Sequence, residues 1–248
     1  MTHRALLATG LLAFAATAPR ASADEILVFA AVSTAEAARE IGARFEAETG
    51  TQVRFSFGSS SDLARQIEAG ARADLLLSAD EAKMEQLERS GRVGPGRRVN
   101  LLSNRLVVVV PAASKLSLAS PADLKRARRI ALAEPSSVPA GIYARKWLLG
   151  LGLWAELEPL LIPTLDVRAA MAAVASENVD AGIVYSTDAA LSPRVRVAYE
   201  VPKGEGPRIV YPVAVVGTPG REAAAKLVKF LQGPFARATF SRFGFEPL

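Results

Sequence analysis

The sequence contains no cysteine, and its single histidine, His3, stands beside the amino terminus. No disulfide can staple this chain and no lipidated cysteine can tether it. Zinc sites, Cys–His pairs and the Ser–His–Asp arrangement all need imidazole or thiolate, so beyond residue 3 the chain is without their chemistry. A basic stripe interleaved with aromatics is also missing. The 30 Lys and Arg are interspersed with 25 Asp and Glu for a formal charge of +5, which argues against nucleic acid as a partner. A membrane-spanning run is absent too: the apolar stretch from Ala5 to Ala18 is about 14 residues, where a spanning helix needs about 20. Preceded by Arg4 and followed by Ala21-Ser22-Ala23, that stretch reads as an export signal cleaved before Asp24. Its removal takes away Arg4, Arg20 and the histidine, leaving 28 basic against 25 acidic residues, a formal charge of +3.

What is present is a chain of 248 residues, half of them hydrophobic, long enough for one large domain or two small ones. It shows no repeat of fixed period and no low-complexity segment. From Glu25 onward short apolar runs alternate with stretches of helical period, the pattern of an α/β protein whose parallel strands are covered by helices. Ile26 to Ala30 is apolar without alternation, as for a strand buried on both faces, and Ala38, Ile41 and Phe45 then recur at helical spacing up to Gly50. The unit repeats with a strand at Val53 to Phe57 and a helix ending at Gly70. It repeats again with a strand from Asp74 to Ser78 and a helix carrying Met84 and Leu87. A polar loop is expected from Gly91 to Arg98. A second strand–helix series begins at Leu106 and includes strands at 129–133 and 181–185 and helices at 141–149 and 168–176. Ile209 to Val216 reads as a strand, and Ala224, Leu227, Val228 and Leu231 mark a helix that returns to the first half. The expected organisation is therefore a leader over 1–23, a first lobe over 24–105, a second lobe over 106–213 and a return segment over 214–248. Trp147 and Trp154 are assigned to the core.

Four strand-to-helix junctions carry small or hydroxyl residues: Ser33-Thr34, Ser59-Ser60-Ser61, Pro139-Ala140-Gly141 and Asp166-Val167. The first N–H groups of a helix lack internal partners, and the helix dipole adds roughly half a positive charge there. Such ends can hold an anion without Lys or Arg. In parallel α/β sheets these junctions gather at the C-terminal edges of the strands, where ligands bind. Each also has an ordinary reading, since Ser, Thr and Asp are common N-cap residues and Pro is common at the first helical position.

At these junctions the chain resembles the molybdate-binding proteins of ABC transporters, over nearly its whole length after the leader. Phe29-Ala30-Ala31-Val32-Ser33 is similar to the family's first strand and binding serine, and Ser59-Ser60-Ser61 with Leu63-Ala64-Arg65-Gln66-Ile67 to its second. Val138 to Ala144, Asp166-Val167-Arg168, Gly182-Ile183-Val184-Tyr185 and Tyr211 to Val215 follow in the family's order. The resemblance implies a two-lobed, hinged periplasmic binding protein fold of type II and a monomer that hands molybdate or tungstate to an inner-membrane permease with its ATPase. It implies no cofactor and no catalysis. It also implies that Ser33 and Ser60 donate hydroxyl and backbone N–H groups, Ala140 and Val167 backbone N–H groups, and Tyr185 its phenolic O–H. A fully deprotonated tetrahedral dianion is acceptor-only, so a lining of donors suits molybdate, tungstate or sulfate better than hydrogen phosphate, which still brings a proton. Asp62, where an uncharged residue is more familiar, is expected to point away and to stabilise its helix.

Three rival readings remain open at this point. A binding protein for sulfate or another oxyanion would use the same donors. An exported hydrolase of phosphate or sulfate esters would have to work through a Ser–Lys pair or a carboxylate metal site. The effector half of a transcription regulator can share the fold, but neither an export signal nor the lack of a helix-turn-helix segment suits it.

Overall fold

The computed structural model describes residues 24–217 and 221–248, so the expected leader over 1–23 lies outside the described residues. β1 (Glu25–Ala31), α1 (Ala35–Thr49), β2 (Gln52–Gly58), α2 (Ser60–Glu68), β3 (Leu75–Leu77), α3 (Glu81–Arg89) and β4 (Val93–Asn104) build the first lobe. The second begins one residue later with β5 (Leu106–Pro111). It continues through β6 (Ile130–Ala133), α4 (Pro139–Gly150), α5 (Trp154–Leu157), β7 (Leu161–Thr164), α6 (Val167–Ala175), β8 (Ala181–Tyr185), α7 (Ser186–Ala189) and β9 (Val195–Glu200). The chain then returns through β10 (Ile209–Val216), α8 (Glu222–Leu231), α9 (Pro234–Arg242) and β11 (Glu246–Pro247). Two sheets result, a six-stranded one in the order β11-β4-β10-β3-β1-β2 and a five-stranded one in the order β7-β6-β8-β5-β9. Among the described residues no helix is long and apolar enough to cross a membrane.

The first sheet is buried on both faces, which is why β1 and β3 read as unbroken apolar runs. Val28, Ala30, Leu75 and Leu77 face one core together with Ile41, Phe45 and Leu227 of α1 and α8. Phe29 and Leu76 face the other, with Leu63, Ile67, Met84 and Leu87 of α2 and α3. Each such side chain contributes on the order of 1.5–3 kcal/mol when fully buried. In α1 the buried stripe is Ala38, Ile41 and Phe45, and Gly50 ends the helix in the left-handed region at φ 73°. Trp147 is buried and stacks on Tyr199 at 6.1 Å, while Trp154 packs half-buried against the same core.

The strands that feed helices pair in parallel, as β1 does with β2 and β3, and β6 with β7 and β8. The strands flanking the crossings between lobes pair antiparallel, so both sheets are mixed. Two expectations need correction. The segment 91–98 is not a loop, because β4 starts at Val93 and pairs with β10. Its glycines and Pro95 are tolerated because the register jumps from Ala214↔Arg98 to Val216↔Val93, which bulges out the residues between, with Gly96 at φ 70°. The boundary at 213/214 also fails: β10 lies wholly in the first sheet, hydrogen-bonded to β3 and β4, so the chain has crossed back before Ile209. An apolar run looks the same whichever sheet takes it.

Candidate functional site

Ser33, Ser60, Ala140, Val167 and Tyr185 line one small cavity between the two sheets. All stand at or just beyond the C-terminal end of a strand: Ser33 after β1, Ser60 after β2, Ala140 after β6, Val167 after β7, and Tyr185 as the last residue of β8. The cavity offers ≈ 20 Å³ to the centre of a water-sized sphere. That is the scale of one or two waters, and it suits an ion of a few atoms rather than a sugar or a peptide. A roomier cleft of ≈ 250 Å³ lies on the hinge side between Arg105 and Arg208, but it contains none of these strand ends.

Three helices, α2, α4 and α6, begin on the cavity wall, and their caps determine what each presents. Ser59 caps α2 by accepting from Asp62 N, and Asp166 caps α6 by accepting from Ala169 N at 2.9 Å. Both caps serve the third helical N–H, leaving the earlier ones, including those of Ser60 and Val167, outside the helices' own bonding. The N-cap of α4 is Val138, which has no capping side chain, and Pro139 occupies the first turn, so the Ala140 N–H is likewise free. Gly141 lets α4 begin this close to the strand end, since a Cβ there would stand 2.0 Å from Ala133 O. Capping and ligand-facing roles thus fall to different atoms of the same junctions.

In the serine run each hydroxyl has its own task. Ser59 caps, Ser60 Oγ accepts from Ala79 N at 2.8 Å, and Ser61 Oγ donates across the gap between lobes to Ser137 O. Asp62 is absent from the cavity lining, because its carboxylate accepts from Ser59 Oγ at 2.8 Å and pairs with Arg65 in the first turns of α2. Ser33 is buried with Oγ 3.1 Å from Tyr211 OH. The Tyr185 hydroxyl is buried with no hydrogen-bond partner among the described residues. Burial pushes that phenol well above its ordinary pKa, so it keeps its proton and is a donor.

Among the described residues no Arg or Lys lines the cavity. Arg168, next to Val167, turns away to Glu36 of α1, with Nη1–Oε1 at 3.1 Å and Nη2–Oε2 at 2.6 Å, and its Nε is in ionic contact with the fully buried Asp188 of α7. Asp166 reaches the wall with its Oδ1 engaged by its own helix. The wall thus brings together the starts of three helices and the hydroxyl residues Ser33, Ser60 and Tyr185, a set that can meet an anion through backbone and hydroxyl dipoles. Two residues behind it, Tyr211 and Asn104, escaped the sequence reading. The signals available were a tyrosine inside the otherwise apolar β10 and a lone amide at the end of β4.

Two lobes joined by crossing segments, with strand ends from both closing on one small pocket, define a protein that clasps a small solute between its halves. The chain belongs to the bacterial extracellular solute-binding protein family, whose model matches residues 26–246. It is 42% identical to the molybdate-binding protein ModA of Escherichia coli, over 97% of this chain and 96% of that one. The periplasmic molybdate-binding protein of Azotobacter vinelandii has the same architecture, with a TM-score of 0.78 at 25% identity, covering 89% of this chain and 98% of that one. The sulfate-binding protein SubI of Mycobacterium tuberculosis superposes as well, with a TM-score of 0.79 over 91% of this chain and 87% of that one. At 20% identity it shows the fold alone, and the fold does not select the anion.

Proposed function

We propose that this protein binds molybdate, and tungstate with it, in the cavity between its lobes and delivers it to an ABC importer. Ser33 and Ser60 donate hydroxyl and backbone N–H groups from the first lobe. Ala140 and Val167 donate backbone N–H groups from the second, and Tyr185 its phenolic O–H. The observation that carries this reading is the Tyr185 hydroxyl, buried without a partner and standing in one ≈ 20 Å³ cavity with the four other donor residues. A buried donor left unmade costs about 1–3 kcal/mol, which a guest with acceptor oxygens would offset. The likeness to ModA over almost the full length of both chains supports the same guest. The protein works in the periplasm after loss of its leader, as a monomer that an inner-membrane permease and its ATPase receive in the closed form. Donors from both lobes on one ligand favour that form, because an open cleft satisfies only part of the guest.

A thermal-shift panel of molybdate, tungstate, sulfate and hydrogen phosphate tests this, followed by calorimetry. Molybdate and tungstate are expected to raise the melting temperature as their concentration rises, since both bind the folded chain only. Sulfate binding as tightly as molybdate would overturn the assigned specificity, and no shift with any of the four would overturn the oxyanion reading.

A further inference from the structure

Arg168 follows Val167 directly in the first turn of α6, outside the cavity lining, and its one guanidinium reaches two other segments that carry cavity residues. Asp188 stands three residues beyond Tyr185, in the turn of α7, and its Oδ1 is in ionic contact with Arg168 Nε. Glu36 stands three residues beyond Ser33, in the first turn of α1, and its carboxylate accepts from Nη1 at 3.1 Å and from Nη2 at 2.6 Å. A single side chain thus joins the segments of Ser33, Val167 and Tyr185, the first in one lobe and the other two in the other. Among the described residues the polar contacts of Arg168 go to these two carboxylates, so the segments of Ser60 and Ala140 stand outside the arrangement.

Stability does not account for this cluster. Asp188 is fully buried, and its Oδ2 has no hydrogen-bond partner among the described residues. Taking an ion out of water costs several kcal/mol, and apolar side chains of similar volume often serve a buried place as well or better. What apolar side chains do not supply is direction. The guanidinium is a rigid planar fork, so its two parallel bonds to Glu36 orient α1 against α6 while its Nε edge faces α7. A binding site whose donors stand about 1 Å out of place loses most of its strength, so what holds the segments matters as much as the donors. We propose that Arg168 is a positioning residue, whose shared fork holds the starts of α1, α6 and α7 at the spacing that lets Ser33, the Val167 N–H and the Tyr185 hydroxyl meet one guest. The proposal rests on the oxyanion reading above and concerns how firmly the guest is held, whichever anion it is.

The test is Arg168→Lys, which keeps the positive charge and loses the fork. Molybdate affinity, measured by calorimetry, is expected to fall by about tenfold, the worth of a bond to a charged group. The decisive readout is a pair of double-mutant cycles. Where Arg168 no longer holds α7, the Tyr185 hydroxyl is already out of place, so adding Tyr185→Phe should cost at least about threefold less affinity than it does in the unaltered protein. Ser60 lies on a segment that Arg168 does not touch, so Ser60→Ala should cost the same with Arg168 as with lysine in its place. Asp188→Asn, which weakens the anchor of α7 alone, repeats both cycles and keeps the test open if Arg168→Lys does not fold. A Tyr185→Phe cost that is undiminished in both backgrounds would overturn the proposal, since a merely structural role changes stability without coupling to one donor. A Ser60→Ala cost that shrinks as much as that of Tyr185→Phe would overturn it too. Failure of the unaltered protein to bind molybdate at all would instead defeat the oxyanion reading, before any variant is made.

Discussion

At the scale of single residues the site illustrates how function opposes stability. Tyr185 keeps a polar group buried and unpaired, although its ring packs well at the end of β8 against Tyr211. Replacing it with Phe removes no hydrogen bond from the unliganded protein. Tyr185→Phe is therefore expected to leave the melting temperature of the ligand-free form unchanged or slightly raised. Molybdate affinity should fall by about ten- to hundredfold, the range for a bond to a charged acceptor. Paired melting curves and calorimetric titrations read both, and a clear drop in ligand-free stability would contradict the role given to this hydroxyl. Ser33 and Ser60 differ from Tyr185 in that each oxygen already has a hydrogen-bond partner in the protein, the Tyr211 hydroxyl and the Ala79 N–H. Their identity as cavity residues could be read from their position after β1 and β2. Their partners could not, because Tyr211 lies 178 residues from Ser33 and Ala79 lies 19 from Ser60.

At the scale of elements, α1, α6 and α7 meet in a cluster with two carboxylates and one guanidinium. Arg168 is shared by Glu36 and Asp188, while Asp188 Oδ2 has no hydrogen-bond partner among the described residues. Burial outweighs the attraction of Arg168, and with repulsion from Glu36 and Asp166 it pushes the Asp188 carboxyl from its ordinary 3.8 up to about 7. The folded protein thus holds a proton that the unfolded chain releases above pH 4. The stability tied to that proton is complete below about pH 4 and is lost as the pH climbs towards 7. Asp188→Asn should flatten this decline, so that denaturant unfolding between pH 4.5 and 8 shows a smaller loss of stability than in the unaltered protein. An unchanged slope would mean that Asp188 is ionised throughout. The buried, raised Asp80 pulls in the same direction, so a residual slope is expected.

At the scale of the whole molecule, contacts outside the cavity also hold the lobes together, among them the bidentate Arg168–Glu36 pair, the Ser61 bond to Ser137 O and the Asn104 bond to Thr187. The ion pair is partly exposed, so solvent screens much of its strength. Glu36→Gln is accordingly expected to weaken molybdate binding only about two- to fivefold, through faster release, since the donors around the guest are untouched. Stopped-flow release rates check this, and a slower association with unchanged release would assign Glu36 to steering instead. The sequence by itself determined the α/β alternation and placed helix starts at the junctions 59–61, 139–141 and 166–167, to within a residue or two, because apolar period, turn chemistry and capping are local properties. It also singled out Ser33, Ser60, Ala140, Val167 and Tyr185, partly by their place at strand ends and partly by likeness to a family. Only the tertiary structure decided that β10 joins the first sheet, that 93–104 forms one bulged strand, and that Asn104 and Tyr211 stand behind Ser33. These depend on partners some 100 residues or more away, as in the Asn104–Tyr211 and Ser33–Tyr211 pairs. No window of sequence contains both members of such a pair, and only folding brings them within reach of a hydrogen bond.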